Sequence, residues 1–238
     1  MNRTKIILVT GASSGIGAAT ALAFAKGGAD VFLVARSRNR LARVARRLPA
    51  EHLAGTALAD FGSVAELQEL VTRLTSRLRR LDVLVHSAGE YSWTEIDTPG
   101  AEGLHRLFEI NVRAPYLLTQ GLLPLLERAR GHVVVLNSSV VRSPGEGVAA
   151  YKSTQHAMLG LVDSLRQDLN LRGIRISSIF PGRTATPRMR RIYEKEGKTY
   201  APKKLMQADD LAQLILALTN LPARMEITDI HVRSVNRY

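Results

Sequence analysis

Runs of uninterrupted apolar residues alternate with stretches in which apolar positions recur every three or four residues. Lys5 to Thr10 is apolar and β-branched, so it reads as a buried strand. A Gly-rich turn follows, then a helical stretch from Ile16 to Gly27 with small residues on one face. Val31 to Ala35 is the second strand-like run, and Leu41 to Leu48 is helical and ends at Pro49. Leu53 to Ala59 makes a weaker third strand, Val64 to Leu78 a strongly periodic helix, and Val83 to Val85 a short fourth strand. Leu104 to Arg128 reads as one long helix and Val133 to Leu136 as the fifth strand. Tyr151 to Leu171 is a helix closed near Gly173, and Ile174 to Phe180 a sixth strand stopped by Pro181. Thr186 to Met206 reads as a basic loop with a short helix, Asp209 to Leu218 as a helix, and Ile227 to Val232 as a final strand.

Strands that are apolar on both faces and separated by helices belong to a parallel sheet covered on both sides. No linker, repeat or low-complexity segment interrupts the alternation. The expected fold is α/β: a single Rossmann-type, doubly wound domain over residues 1–238, with a mainly parallel seven-stranded sheet and helices on both faces.

Composition removes several function classes. The 238 residues are 45% hydrophobic and include no cysteine, which excludes a disulfide scaffold, a thiolate metal site and a cysteine nucleophile. No metal site is expected. The apolar run Ile6 to Val9 is too short for a signal-peptide core, and no segment approaches the roughly 18 apolar residues of a membrane span. A cytoplasmic protein without a membrane partner is expected. Lysine and arginine total 33 against 21 acidic residues, a net charge of +12. That excess favours anionic partners, phosphorylated cofactors among them. Aromatics are only 5% and do not interleave with the basic residues, which argues against nucleic acid as the partner.

The chemistry begins at Gly11-Ala12-Ser13-Ser14-Gly15-Ile16-Gly17, directly after the first strand. Glycines there permit a tight turn and let backbone approach a pyrophosphate. The following helix N-terminus offers N–H groups and partial positive charge to the phosphates. The spacing Gly-x-x-x-Gly-x-Gly, opened by Thr10, resembles the short-chain dehydrogenase/reductase family, and the resemblance runs over essentially the whole chain.

That resemblance implies a set of roles. Gly11, Ser13, Ser14, Gly15, Ile16 and Gly17 would hold a dinucleotide. Members that prefer NAD carry an acid at the end of the second strand; here Ala35 is followed by Arg36, and a guanidinium pairs with a 2′-phosphate. The implied cofactor is therefore NADP(H). Arg38 is a second candidate, whereas Arg40, Arg43, Arg46 and Arg47 read as a solvated face. Asp60 matches the acid that contacts adenine. His86-Ser87-Ala88-Gly89 stands where the family has Asn-Asn-Ala-Gly, so Ala88 and Gly89 keep the close backbone approach and His86 reads as structural. Pro181, Gly182 and Thr186 match the segment beside the nicotinamide.

The family's chemistry uses Asn, Ser, Tyr and Lys. Asn111 and Tyr151 match the first and third. Ser138, thirteen residues before Tyr151, fits the serine better than Ser139, and a polar cap at a strand end is the other reading of both. The lysine should lie four residues after Tyr151, one helical turn along, and that residue is Gln155. Glutamine can hydrogen-bond a ribose but carries no charge. Lys152 would point about 100° round the helix, and Arg183 is another cation that could approach. A cation beside Tyr151 would favour tyrosinate, the base that alcohol oxidation needs. Its loss points towards NADPH-dependent reduction of a small or carrier-bound ketone, with Tyr151 giving the proton, Ser138 orienting the carbonyl, and Asn111 and Gln155 completing the site. A cofactor-binding protein without turnover, or a non-redox acid–base enzyme, stays open. Residues 183–206, rich in basic side chains, would cap the substrate, with Tyr91 and Trp93 as candidate lining. The two long helices would pair subunits into a homodimer or homotetramer.

Overall fold

The apolar runs of the chain lie side by side and all point the same way. In this computed structural model residues 3–93, 102–143 and 146–236 are described. The first half runs β1 (Ile6–Thr10), α1 (Gly15–Lys26), β2 (Asp30–Ala35), α2 (Arg38–Ala45), β3 (Leu53–Leu58), α3 (Val64–Arg77) and β4 (Val83–His86). The second runs α4 (Glu102–Phe108), α5 (Ala114–Gly121), α6 (Leu123–Ala129), β5 (His132–Leu136), α7 (Ala149–Asn170) and β6 (Arg175–Pro181). A short excursion follows, β7 (Thr184–Ala185), α8 (Pro187–Lys195) and β8 (Met206–Gln207), before α9 (Ala208–Thr219) and β9 (Asp229–Val232) return to the sheet.

The sheet has seven strands in the order β3-β2-β1-β4-β5-β6-β9, and every pairing in it is parallel. Crossover helices cover both faces, as parallel pairing requires. On one face Leu8, Phe32 and Leu84 pack with Leu67, Leu118 and Met158. On the other Val9, Leu33 and Val85 pack with Phe24, Leu41 and Ile215. The strand order reverses between β1 and β4, and ligands of such sheets bind outside the carboxyl ends at that switch point.

The expected long helix from Leu104 to Arg128 is broken. Between α4 and α5, residues Glu109–Arg113 form a wider π turn, in which Ala114 N–H donates to Glu109 O. Pro115 explains it: without an N–H it cannot bond the carbonyl of Asn111, so the ordinary ladder fails there. Pro124 in the first turn of α6 marks the second break, after Gly121. The short helix expected in the basic segment is α8, and β7 pairs with β8 around it at Thr184–Met206 and Ala185–Gln207, which the sequence did not suggest.

Candidate active-site cleft

The carboxyl ends of β1, β4, β5 and β6 open into a cleft of about 1350 Å³. Gly11 turns the chain out of β1 with φ +66°, and a Cβ there would lie 2.7 Å from both Ala88 N and Ser87 O. Only glycine lets the two strand-end loops meet this closely. Thr10 ties them: its Oγ1 donates to Val85 O and accepts from Ser87 N and Ala88 N. Ser13, Ser14, Gly15 and Ile16 line the cleft. The Ser14 side chain accepts from no N–H of α1, so this helix start keeps free donors for an anion. Gly17 sits behind the wall rather than on it, where a Cβ would come within 2.6 Å of Gly11 O.

At the end of β2, Ala35 is buried and Arg36 stands exposed on the rim. Arg40 lines the cleft as well. The sequence pattern put Arg40 on a solvated face; α2 starts earlier than expected, at Arg38, which places Arg40 in its first turn beside the cleft. Among the described residues neither arginine has a hydrogen-bond or ion-pair partner. Asp60 accepts from Gly62 N at 3.0 Å and lies 3.9 Å from Arg106, which also meets Glu90 at 3.2 Å. His86 is buried, with Nε2 2.9 Å from Thr119 Oγ1. Burial lowers its pKa to about 3, so it is neutral and structural.

At the far end Tyr151, Gln155, Asn111, Ser138 and Ser139 face one space. The π turn delivers Asn111, whose carboxamide is saturated. Its Oδ1 accepts from Glu90 N at 2.8 Å, and its Nδ2 donates to Glu90 O at 2.9 Å and to Thr154 Oγ1 at 3.1 Å. Thr154, overlooked in the sequence, is the knot: its hydroxyl donates to Tyr151 O and also accepts from Gln155 Nε2 at 3.4 Å. Nothing in its residue type announces this; only its buried place between Tyr151 and Gln155 on α7 does. Gln155 is itself buried at 5% exposure. Ser138 Oγ accepts from Val140 N at 3.3 Å, so it caps a short turn while lining the cleft. Lys152 turns away and donates to Ser143 O at 2.9 Å.

The segment after β6 is held by ion pairs. Arg183 Nη2 meets both carboxylate oxygens of Glu196, at 2.7 and 2.8 Å, and its guanidinium lies 4.7 Å over the Tyr193 ring. Lys198 adds a second cation at 2.9 Å. Burial works against ionisation of Glu196, but hydrogen bonds from Lys198 and Arg183 outweigh it and hold the carboxyl below its ordinary range. Arg188 donates to Gly89 O, and Gly182 N–H to Val232 O at 2.7 Å. Thr186 caps α8 through Met189 N, and its methyl lies within 3.2 Å of where a Gly15 Cβ would stand. Pro181, Gly182 and Thr186 all line the cleft, as do Tyr91 and Trp93. The Tyr91 ring meets Tyr151 edge-on with centroids 5.0 Å apart.

Residues 5–197 match the family model described as short chain dehydrogenase. The chain belongs to the short-chain dehydrogenases. Its relatives include an uncharacterized short-chain type dehydrogenase/reductase of Sinorhizobium fredii, 32% identical over 98% of this chain and 92% of that one. Another is an NADP-dependent 3-hydroxy acid dehydrogenase of Salmonella typhi, 28% identical over 98% and 96%. Among solved structures, a short chain dehydrogenase from Shigella flexneri complexed with NADP superposes with a TM-score of 0.86 at 30% identity, covering 95% of both chains.

This short-chain dehydrogenase thus gathers Tyr151, Ser138, Asn111 and Gln155 at one end of its cleft, and Arg36, Asp60 and the glycine turn at the other. Ala88 and Gly89 line the stretch between. No group of three or more potential metal-ligating side chains occurs among the described residues, and no helix among them is long and apolar enough to cross a membrane.

Proposed function

We propose that this short-chain dehydrogenase binds NADP(H) and reduces a small or carrier-bound ketone. The observation that carries the cofactor reading is the pair Arg36 and Arg40, unpartnered on the rim beside buried Ala35. Two guanidiniums and no carboxylate at that strand end suit a 2′-phosphate. The cradle suits the rest of the dinucleotide: the Gly11 turn excludes any side chain, and α1 presents uncapped N–H groups. Bound there, the nicotinamide would supply or accept hydride. The named relatives, one NADP-dependent and one complexed with NADP, support this choice.

The protein's own part is to orient the carbonyl and move one proton. Tyr151 Oη gives a proton to the carbonyl oxygen, and Ser138 Oγ holds that oxygen in line. Asn111 and Thr154 fix the backbone around them. Gln155 fills the place of a cation without its charge, so nothing on α7 favours tyrosinate, and giving a proton is favoured over taking one. The segment around residues 183–206 caps the substrate, with Tyr91 and Trp93 as aromatic walls. A second copy of the chain covers the α4–α5 face, where Leu104, Phe108 and Tyr116 are 42%, 37% and 38% exposed.

The test is titration of NADPH and NADH, followed by NADPH consumption with β-keto esters, diketones and acetoacetyl thioesters. Preference for NADPH and turnover of one class are expected. Tight NADPH binding with no turnover of any ketone would overturn the reductase reading, and equal affinity for the two cofactors would overturn the role of Arg36 and Arg40.

A further inference from the structure

After Tyr151 gives up its proton it must recover one, and the α7 side of the site has no group to supply it. Asn111 is saturated by Glu90 and Thr154. Thr154 spends its only hydrogen on Tyr151 O. Gln155 is a neutral amide, and Lys152 is spent on Ser143 O and does not itself line the cleft. Asn111, Thr154 and Gln155 are neither acids nor bases near neutral pH.

The opposite wall differs. Tyr91 follows the loop that Gly11 and Asn111 hold, and its ring packs edge-on against Tyr151 at 5.0 Å between centroids. The titratable and charged groups that face it are Tyr151 from α7, Arg183 after β6 and Glu196 after α8. All four line the same cleft. Arg183 is held in place by both oxygens of Glu196 and by the Tyr193 ring, so its charge is fixed rather than swinging.

We propose that Tyr91 is the positioning and proton-return partner of Tyr151, doing from the loop wall what a charged residue at position 155 would do from α7. The inference rests on the reductase reading above. The steps balance as follows. Tyr151 O–H gives its proton to the carbonyl oxygen and becomes phenolate. Tyr91 O–H returns a proton to that phenolate through one water, because the two hydroxyls are not in direct hydrogen bond. Tyr91 then takes a proton from bulk water at the cleft mouth. Donor and acceptor are both phenols, and the burial that makes Tyr91 hold its proton is partly offset by Arg183. Burial first, then Glu196 and Tyr151, raise the pKa of Tyr91, while Arg183 lowers it. Tyr91 therefore holds its proton at neutral pH, and Arg183 is the charge that eases its transient ionisation.

Tyr91→Phe keeps the ring and removes only the hydroxyl. With NADPH and whichever β-keto ester, diketone or acetoacetyl thioester the wild type turns over, kcat should fall about tenfold, within the range of a positioned proton-transfer group. KM and NADPH affinity should hold, and the solvent deuterium isotope effect on kcat should rise. Gln155→Lys in the Tyr91→Phe background should restore much of the loss, since a cation on α7 reopens the other route. Unchanged kcat and isotope effect in Tyr91→Phe would overturn the proposal while leaving the reductase reading intact; absence of wild-type turnover would overturn both. A readout that needs no turnover is tyrosinate absorbance in the NADP⁺ complex. Wild type, Tyr91→Phe, Tyr151→Phe and the double variant should show the two tyrosines titrating as a coupled pair. Strictly additive curves would overturn the proposal on their own.

Discussion

The two ends of the cleft use arginine in opposite ways. Beside the end of β2 Arg36 and Arg40 stand on the rim without partners among the described residues. At the cap end Arg183 is clamped by Glu196 and Arg188 by Gly89 O. The first pair is free to meet a phosphate and is desolvated only when it does. The second pair is consumed in holding the α8 segment to the rest of the fold. Net charge cannot tell the two apart. A guanidinium without a fixed partner is available to a ligand, and one already satisfied on both sides is part of the frame.

The sharpest way to break this contrast is Gly11→Ala. The added Cβ meets backbone at 2.7 Å in a left-handed conformation. It should abolish NADPH binding and cost about 2–4 kcal/mol in urea unfolding. Gly197→Ala in the cap has φ +63° but nothing within 4 Å of its Cβ. It should cost about 1 kcal/mol and leave NADPH affinity unchanged.

Acid should act on the fold through two buried histidines, His86 beside the cleft and His132 at the amino end of β5. His86, with a pKa lowered by burial from 6.5 to about 3, stays neutral in the fold while the unfolded chain binds a proton. Stability is therefore lost as pH falls below 6.5, at up to about 1.4 kcal/mol per pH unit. His132 adds a second such contribution: burial, then Arg175 and Lys5, lower its pKa to about 3. Glu196 has the other sign of charge: its contribution is present above the ordinary carboxylate value of 4.5 and is lost below it. Unfolding measured at pH 7.5, 6 and 5 should show a decline that His86→Asn makes shallower and Glu196→Gln does not change.

Cofactor affinity gives the next test. Arg36→Ala and Arg40→Ala should each weaken NADPH binding about tenfold, in line with about 1.5 kcal/mol for a charge-assisted hydrogen bond, and leave NADH binding unchanged. Arg183→Ala should leave both unchanged. The smallest effect is expected at Glu196→Gln. The pair is partly exposed, so about 1 kcal/mol or less of stability is at stake after screening, read most directly as faster tryptic cleavage of the cap around Arg190 and Lys195.

Sequence pattern alone carried the seven strands and the α1 turn, because uninterrupted apolar runs and a glycine-spaced turn are local signals. It did not carry the break at Asn111. Pro115 was visible, but a proline in the first turn of a new helix and a proline that widens an existing one look alike in one dimension. That Arg40 lines the cleft depends on the starting residue of α2, and helix starts are poorly fixed by a periodic pattern. Thr154 and the Arg183–Glu196 clamp were invisible for a different reason. They are contacts made by burial and by distant segments, and no spacing rule records them.

The first and last parts of this chain are bound to one another. Phe24 of α1 and Ile215 of α9 share one core cluster, and β9 completes the sheet beside β6, with Gly182 N–H held by Val232 O. On a ribosome, the glycine turn after β1 emerges well before α9, the helix that packs on α1. Contacts of such long sequence separation form slowly. The glycine turn is thus made long before its support, so a nascent chain halted before α9 carries the motif without the helix that packs behind it.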